Sequence, residues 1–251
     1  MNYTDINSKT IDQWVEDGWE WGRPIDHETY EKAKQGEWQI ILTPTRPVPK
    51  EWYPELKGCK VLGLACGGAQ QMPILTAAGA DCTVLDYSEK QLESERKVAE
   101  REGYEIEIVR ADMTKPLPFE DETFDMIVHP VSNCYVEEVL PIWRECYRVL
   151  KKGGRLLAEL DNGINFLFNE VDEGLIVYSL PSNPLKDPML YEESVKNGWG
   201  VQFSHTLDEQ IRGQIQAGFT LKDLYEDTDG SGFLHEHGVP TFWATLAIKE
   251  N

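Results

Sequence analysis

The sequence predicts an α/β fold in which a parallel sheet is covered by helices on both faces. Three observations carry this prediction. Between residues 60 and 160, short apolar runs alternate with segments of helical period, the pattern of successive βαβ units. The first run, Lys60-Val-Leu-Gly-Leu64, passes straight into Ala65-Cys-Gly-Gly-Ala69, a turn of small residues that lets backbone approach a ligand. The next strand ends on an acid, Asp86, nineteen residues after Gly67, where a carboxylate can take up the hydroxyls of a ribose. Together the turn and the acid point to an adenosine-containing cofactor.

Element by element, the first fifty residues differ from the rest. They hold four of the eight tryptophans, Trp14, Trp19, Trp21 and Trp38, together with Tyr30. Thr10-Ile-Asp-Gln13 fits a capping box, with Ile11, Trp14 and Val15 at helical spacing behind it. Asp26 is placed to cap a second helix through Tyr30 and Ala33, which Gly36 stops. Prolines 44, 47, 49 and 54 then predict a stiff, extended connection. Residues 1–50 are therefore read as a helical cap on a main domain spanning 51–251.

In the main domain, strands are expected at 60–65, 81–86, 106–111, 124–129 and 155–160. A helix runs to about 79, and Ser88 caps the next one, with Gln91 completing a capping box. Pro141 suits the first turn of a helix striped by Leu140, Trp143, Cys146, Tyr147 and Leu150, ended by Gly153-Gly154. The glycine turn is expected to use ordinary dihedrals at Ala65 and Ala69, because alanine disfavours positive φ. Residues 161–204 have no clear period, carry three prolines and read as an insertion or lid. A helix over 206–217 stops at Gly218, and strands 219–225 and 241–248 flank a Gly/His loop.

Composition narrows the function. A net charge of −20 argues against a nucleic-acid substrate, which calls for a basic face. The densest basic groups, Lys151-Lys152-Arg155 and Arg96-Lys97, have acids nearby. Five cysteines without a CxxC pair support neither a disulfide framework nor a zinc cluster. His235-Glu-His237 offers two imidazoles without a third ligand, so no metal is expected. No apolar run approaches the ~20 residues of a membrane span, and the N-terminus lacks the features of a signal peptide. A cytoplasmic protein is expected.

A series of motifs then stands out: Val61-Leu-Gly-Leu-Ala-Cys-Gly-Gly-Ala69, Thr83-Val-Leu-Asp-Tyr-Ser88, Arg110-Ala-Asp-Met113, Leu117-Pro-Phe-Glu-Asp-Glu-Thr-Phe-Asp-Met-Ile-Val128, and Cys146-Tyr-Arg-Val-Leu-Lys-Lys-Gly-Gly-Arg-Leu-Leu157. This series resembles the core of the class I S-adenosylmethionine-dependent methyltransferases of the UbiE/Coq5-like (methyltransferase type 11) group. The resemblance implies a Rossmann-like seven-stranded sheet, mostly parallel with an antiparallel C-terminal strand. It also implies S-adenosyl-L-methionine as cofactor, with S-adenosyl-L-homocysteine as product. The pattern departs from the family at Gly63, where an acid is usual, and at Ala65 and Ala69, where glycines are usual.

Carried onto this chain, the resemblance places backbone at Leu64, Ala65, Cys66 and Gly67 along the methionyl and sugar part of the cofactor. Gln70 or Gln71 would stand in for the missing acid. Asp86 would bind the ribose diol, Tyr87 and Gln91 would flank the adenine, and Asp112-Met113 would meet its amino group. After the fourth strand, His129 is a candidate base, or else contributes mainly backbone to the cofactor pocket. Asn133 or Tyr135 would orient substrate. Asp125 is read as structural. The acceptor is expected to be a small molecule walled by the cap tryptophans and by Phe166, Phe168, Tyr178 and Tyr191 of the lid. The alternatives are an RNA or protein methyltransferase and a non-catalytic cofactor-binding module.

Overall fold

Strand β1 (Lys60–Leu64) is apolar beyond its first residue because neither of its faces meets water. It pairs in parallel with β2 (Asp81–Asp86) on one side and with β4 (Phe124–His129) on the other. In the computed structural model, which describes residues 2–168 and 174–250, seven strands form one sheet in the order β3-β2-β1-β4-β5-β7-β6. Strands β3 (Glu107–Arg110) and β5 (Leu150–Asp161) extend the parallel part, while β7 (Phe242–Ile248) runs antiparallel to both β5 and β6 (Thr220–Asp227). The expected Rossmann-like sheet is thus present, with its antiparallel C-terminal strand.

Alternation along the strands builds a core on each face. Val61, Val84, Met126, Val128 and Leu157 pack against Ile40, Leu42, Trp52, Met72, Leu75 and Leu92. Leu62, Leu64, Leu85, Ile127 and Leu156 pack on the opposite face against Ile142, Trp143, Cys146 and Phe219. Helices α3 (Met72–Ala77), α4 (Glu89–Glu102) and α5 (Leu140–Val149) lie between the strands they connect, and Ser88 caps α4 through the Gln91 N–H. All five cysteines are free and buried. Among the described residues no helix is long and apolar enough to cross a membrane.

Four local expectations are corrected. The first helix, α1 (Tyr3–Glu16), starts a full two turns before Thr10, so Thr10 lies inside it. Its early turns bury Thr4, Asn7 and Ser8, a polar underside that no apolar period reveals. The proline segment is not extended: Ile41 bridges Pro47, and the Thr45 and Arg46 amides donate to Asp227. Helix α5 ends at Val149, before Gly153-Gly154, because Leu150 is already paired with Phe124 in the sheet. The two glycines sit instead in a bulge of β5, and the register resumes at Arg155 opposite Met126. The fourth concerns the glycine turn and belongs with the site.

Asp26 caps α2 (His27–Lys34) through the Thr29 N–H, as expected. The lid segment carries α6 (Pro188–Asn197), and residues 169–173 of it lie outside the described residues. A π-turn over Asp208–Arg212 leads into α7 (Gly213–Ala217), and the loop between β6 and β7 holds a short α8 (Gly232–Glu236).

Candidate active site

The turn after β1 is built on positive φ angles: Ala65 at 48°, Gly68 at 97° and Ala69 at 56°. The expectation of ordinary dihedrals at the two alanines is therefore wrong. Each left-handed alanine costs about 1–2 kcal/mol, offset here by anchoring bonds. Ala65 N–H donates to the Leu85 carbonyl at 2.7 Å, and Ala69 N–H donates to Glu95 Oε1 at 2.7 Å. Glu95 is fully buried on α4, and burial pushes its carboxyl up to about 8. Glycine is required at position 67, where a Cβ would stand 2.6 Å from the Gln91 Cβ. The place of the usual acid at position 63 is taken by the Met72 side chain, whose sulfur would lie 2.7 Å from a Cβ there.

Asp86 uses both carboxylate oxygens on backbone. Oδ2 accepts from Gly67 N–H at 3.0 Å and Oδ1 from Ser88 N–H at 2.9 Å. Burial raises its pKa, and these bonds oppose the rise. The carboxylate borders a narrow cavity of about 100 Å³ lined also by Tyr87, Gln91, Ala111, Asp112 and Met113. Helix α1 forms its roof through Thr4, Asn7, Ser8 and Ile11. Hydrogen bonds fix that roof: Asp12 accepts from the Ser88 hydroxyl (2.6 Å) and Lys90 N–H (3.0 Å), and Asp5 accepts from the Tyr87 hydroxyl. Asn7 ties α1 to the Tyr135 carbonyl and to both backbone groups of Val201.

A second cavity, about 120 Å³, is bordered by Ala65, Gly67, Gln71, Gln91 and Glu159. Gln91 Oε1 is buried without a partner at the wall common to these two cavities. Gln71 is engaged on both sides, accepting from the Cys66 thiol and donating to the Ile41 carbonyl. Gln70 instead ties the turn to the cap at Glu20 and Arg23. Glu159, nearly fully buried, accepts from Val131 N–H at 3.1 Å, and burial drives its pKa far above the ordinary carboxylate range.

A third chamber, about 690 Å³, carries Trp14, Trp21, Asp161, Phe166 and Phe242 on its walls. It continues through Trp14, Asn165, Phe166 and Gln202 into an outer chamber of about 490 Å³ bordered by Phe168, Tyr178, Leu190, Trp199 and Phe233. Trp19, Val131 and Tyr135 line the first, second and third cavities alike. The three spaces therefore adjoin one another at these three side chains, which form their junction. Three cap tryptophans reach these cavities. Trp38 packs on Tyr53 and Tyr30 stacks on Tyr104, both elsewhere.

Leu64, Cys66 and His129 lie behind the cavity walls. His129 is fully buried, with Nδ1 2.9 Å from the Leu64 carbonyl oxygen and Nε2 2.9 Å from the Asn133 amide. Burial lowers its pKa, so the neutral ring is favoured. Asn133 in turn donates to Gln210 and faces no cavity. Asp125 holds Lys60 N–H and Lys151, a structural role. His235 and His237 bond to Thr228 and the Phe233 carbonyl. Apart from these cavities, His27, Glu31 and Glu102 place three ligand atoms within 4.8 Å of one another on α2 and α4.

Sequence reasoning named Trp19 among the wall tryptophans but missed Glu159 and Asp161. The signal for the two acids was present: ionisable residues at alternate positions interrupt the apolar run Leu156–Leu160 of a central strand, just at its carboxyl edge.

A family model described as a methyltransferase domain (Methyltransf_11) matches residues 62–158. The chain is 45% identical over 249 residues to the uncharacterized methyltransferase YbaJ of Bacillus subtilis (strain 168), covering 97% of each chain. It is 32% identical over 186 residues to a demethylmenaquinone methyltransferase of Mycolicibacterium paratuberculosis, covering 71% of this chain and 75% of that one. Among solved structures, an S-adenosylmethionine-dependent methyltransferase from Mesorhizobium loti superposes with a TM-score of 0.64 at 20% identity, covering 79% of this chain and 94% of the other.

Proposed function

Because the chain belongs to the class I S-adenosylmethionine-dependent methyltransferases, we propose that its three joined cavities seat the adenosyl arm of the donor, the methionyl arm and a small-molecule acceptor. The observation that carries this reading is the junction at Trp19, Val131 and Tyr135. When bound, S-adenosylmethionine supplies a methyl group activated by its bond to a positively charged sulfur. A donor of this kind joins two arms at the sulfur and points its methyl along a third direction. A three-way junction has that branching.

On this reading Asp86 holds the ribose diol, Tyr87 and Gln91 flank the adenine, and Asp112 and Met113 close its far edge. Ala65, Gly67 and Gln71 border the methionyl arm, with Leu64 and Cys66 as the backing layer. Glu159 serves there as the acid that Gly63 does not supply. His129 is assigned a supporting part: its ring holds the Leu64 carbonyl and so fixes the start of the turn. Tyr135 is a wall of the transfer point. Residues 1–50 act as a cap and 161–204 as a lid, since Trp14, Trp19, Phe166 and Tyr178 stand on the cavity walls.

Alignment of acceptor and methyl at close range, with water shut out, is the main contribution such a site makes. A small acceptor is supported by the aromatic lining of the chambers and by the net charge of −20, which disfavours a polyphosphate chain. The mycobacterial relative is likewise named for a small molecule. Calorimetry with S-adenosylhomocysteine tests the reading. Asp86→Asn puts an N–H2 group in place of one carboxylate oxygen, against one of the two backbone donors, and is expected to weaken binding at least tenfold, about 1.4 kcal/mol, with the circular dichroism spectrum unchanged. Equal affinity in the two proteins would remove Asp86 from the site.

A further inference from the structure

The acceptor chamber has a charge character of its own. Among the described residues, the ionisable side chains on the walls of the inner and outer chambers, tyrosines and the Cys134 thiol aside, are Asp17, Asp161 and Asp229. Among the described residues, no lysine, arginine or histidine lines either one. Six rings, Trp14, Trp19, Trp21, Tyr135, Phe166 and Phe242, stand around the inner chamber with Asp161. Aromatic faces attract a cation with about 0.5–2 kcal/mol each, most strongly once water is excluded. A carboxylate or phosphate brought into the same space meets only like charge.

We propose that the methyl acceptor is an amine with an apolar body, held as its ammonium form between the cap indoles and Asp161, and that Asp161 takes its proton before transfer. This rests on the reading of the junction given above. Trp19, Val131 and Tyr135 are walls that the Asp161 chamber shares with the two donor-side cavities. The outer chamber, with Phe168, Tyr178, Leu190 and Phe233, offers the apolar body a seat. One Asp161 oxygen is anchored by the Gly163 N–H, which fixes the carboxyl at the edge of β5.

The charge changes of the reaction select the amine over a hydroxyl. The ammonium gives one proton to the Asp161 carboxylate and becomes a neutral nucleophile. Its lone pair forms the nitrogen–carbon bond as the sulfur–carbon bond breaks with its pair left on sulfur, so the positive charge ends on nitrogen. Every species formed in the chamber is then neutral or cationic. A hydroxyl that gave its proton to Asp161 would become an anion in a chamber whose described walls carry Asp17 and Asp229 and no cation.

The groups that bear on Asp161 are Asp229, Glu159, Cys134 and Tyr135, with Asn165 as a hydrogen-bond partner. No cation is among them. Burial first, then Asp229, raises the Asp161 carboxyl to about 7, against the Gly163 bond, so it exchanges a proton near neutrality.

The test uses phenyltrimethylammonium, a cation that cannot be methylated, titrated into the protein saturated with S-adenosylhomocysteine. It is expected to bind at least tenfold more tightly than its neutral isostere tert-butylbenzene. Asp161→Asn should abolish most of that preference while leaving the affinity for S-adenosylhomocysteine unchanged. In methyl-transfer assays, 2-phenylethylamine should be accepted in preference to 4-ethylphenol and 3-phenylpropionate. Its kcat/KM should rise through about pH 7 in the wild type, and in Asp161→Asn the rise should move toward the amine's own pKa. Equal binding of the cation and the isostere, an unaltered preference in Asp161→Asn, or faster methylation of the phenol would each overturn the amine assignment while the donor site stands. Failure of S-adenosylhomocysteine to bind the wild type would overturn the junction reading and this inference with it.

Discussion

Ala69 of the glycine turn and its α4 partner Glu95 carry measurable free energy. Ala69 sits at a φ of 56°, where an L side chain is strained, and its N–H is held by Glu95. Ala69→Gly relieves the strain and gives part of it back as unfolded-chain entropy. A net gain of about 1 kcal/mol is expected, read in urea as a higher midpoint with an unchanged slope. A lower midpoint would mean that the methyl group, fully buried in the turn, packs better than the strain costs. Glu95 makes the opposite contribution. Burial pushes its carboxyl up to about 8 in the folded chain against an ordinary 4.5, so the folded state binds the extra proton between those limits. Stability therefore falls as pH rises through that window. Glu95→Gln should match the wild type below about pH 4.5 and exceed it by a few kcal/mol above pH 8. A difference that does not vary with pH would show that ionisation at this site is not its origin.

At the scale of elements, α1 is unusual in how it is held. Its buried positions are Thr4, Asn7 and Ser8, so hydrogen bonds, not apolar burial, dock it over the Asp86 cavity. A net hydrogen bond contributes about 1 kcal/mol, which makes this roof easier to open than the sheet beneath it. Asp12→Ala removes the acceptor of the Ser88 hydroxyl and the Lys90 N–H. Amide exchange over Tyr3–Glu16 should quicken about fivefold for each kilocalorie lost, as should release of S-adenosylhomocysteine, while exchange in β1 and β4 stays as it was. Unchanged exchange in α1 would assign its docking to other contacts. The same polar underside explains why the start of α1 was illegible in the sequence. Period-3.6 patterning registers apolar faces only, and the first visible stripe begins at Ile11.

For the whole molecule, the parallel half of the sheet was legible because β1, β2 and β4 are buried on both faces and must be apolar. The residues proposed for the donor side stood out in the sequence for a related reason. The strand edge, the glycine turn and the acid at 86 are consecutive in the chain, so their spacing reports their geometry. The acceptor side was not. Trp19 comes from the cap, Asp161 from the end of β5, Phe166 from the lid and Phe242 from β7, and only the folded chain brings them to one chamber. The backbone of Ala65 and Ala69 was misread because the propensity of alanine was weighed without the Leu85 and Glu95 partners that override it. One feature of the sheet also has a meaning in time. Strand β7 follows β6 in the chain yet lies between β6 and β5. During synthesis β6 therefore emerges with no neighbour to join, and the outer edge of β5 stays bare until residues 242–248 arrive. Pairing of such distant segments is slow, and a bare edge invites pairing with another chain. The interval between making β6 and seating β7 is when a nascent copy of this molecule is most exposed to aggregation.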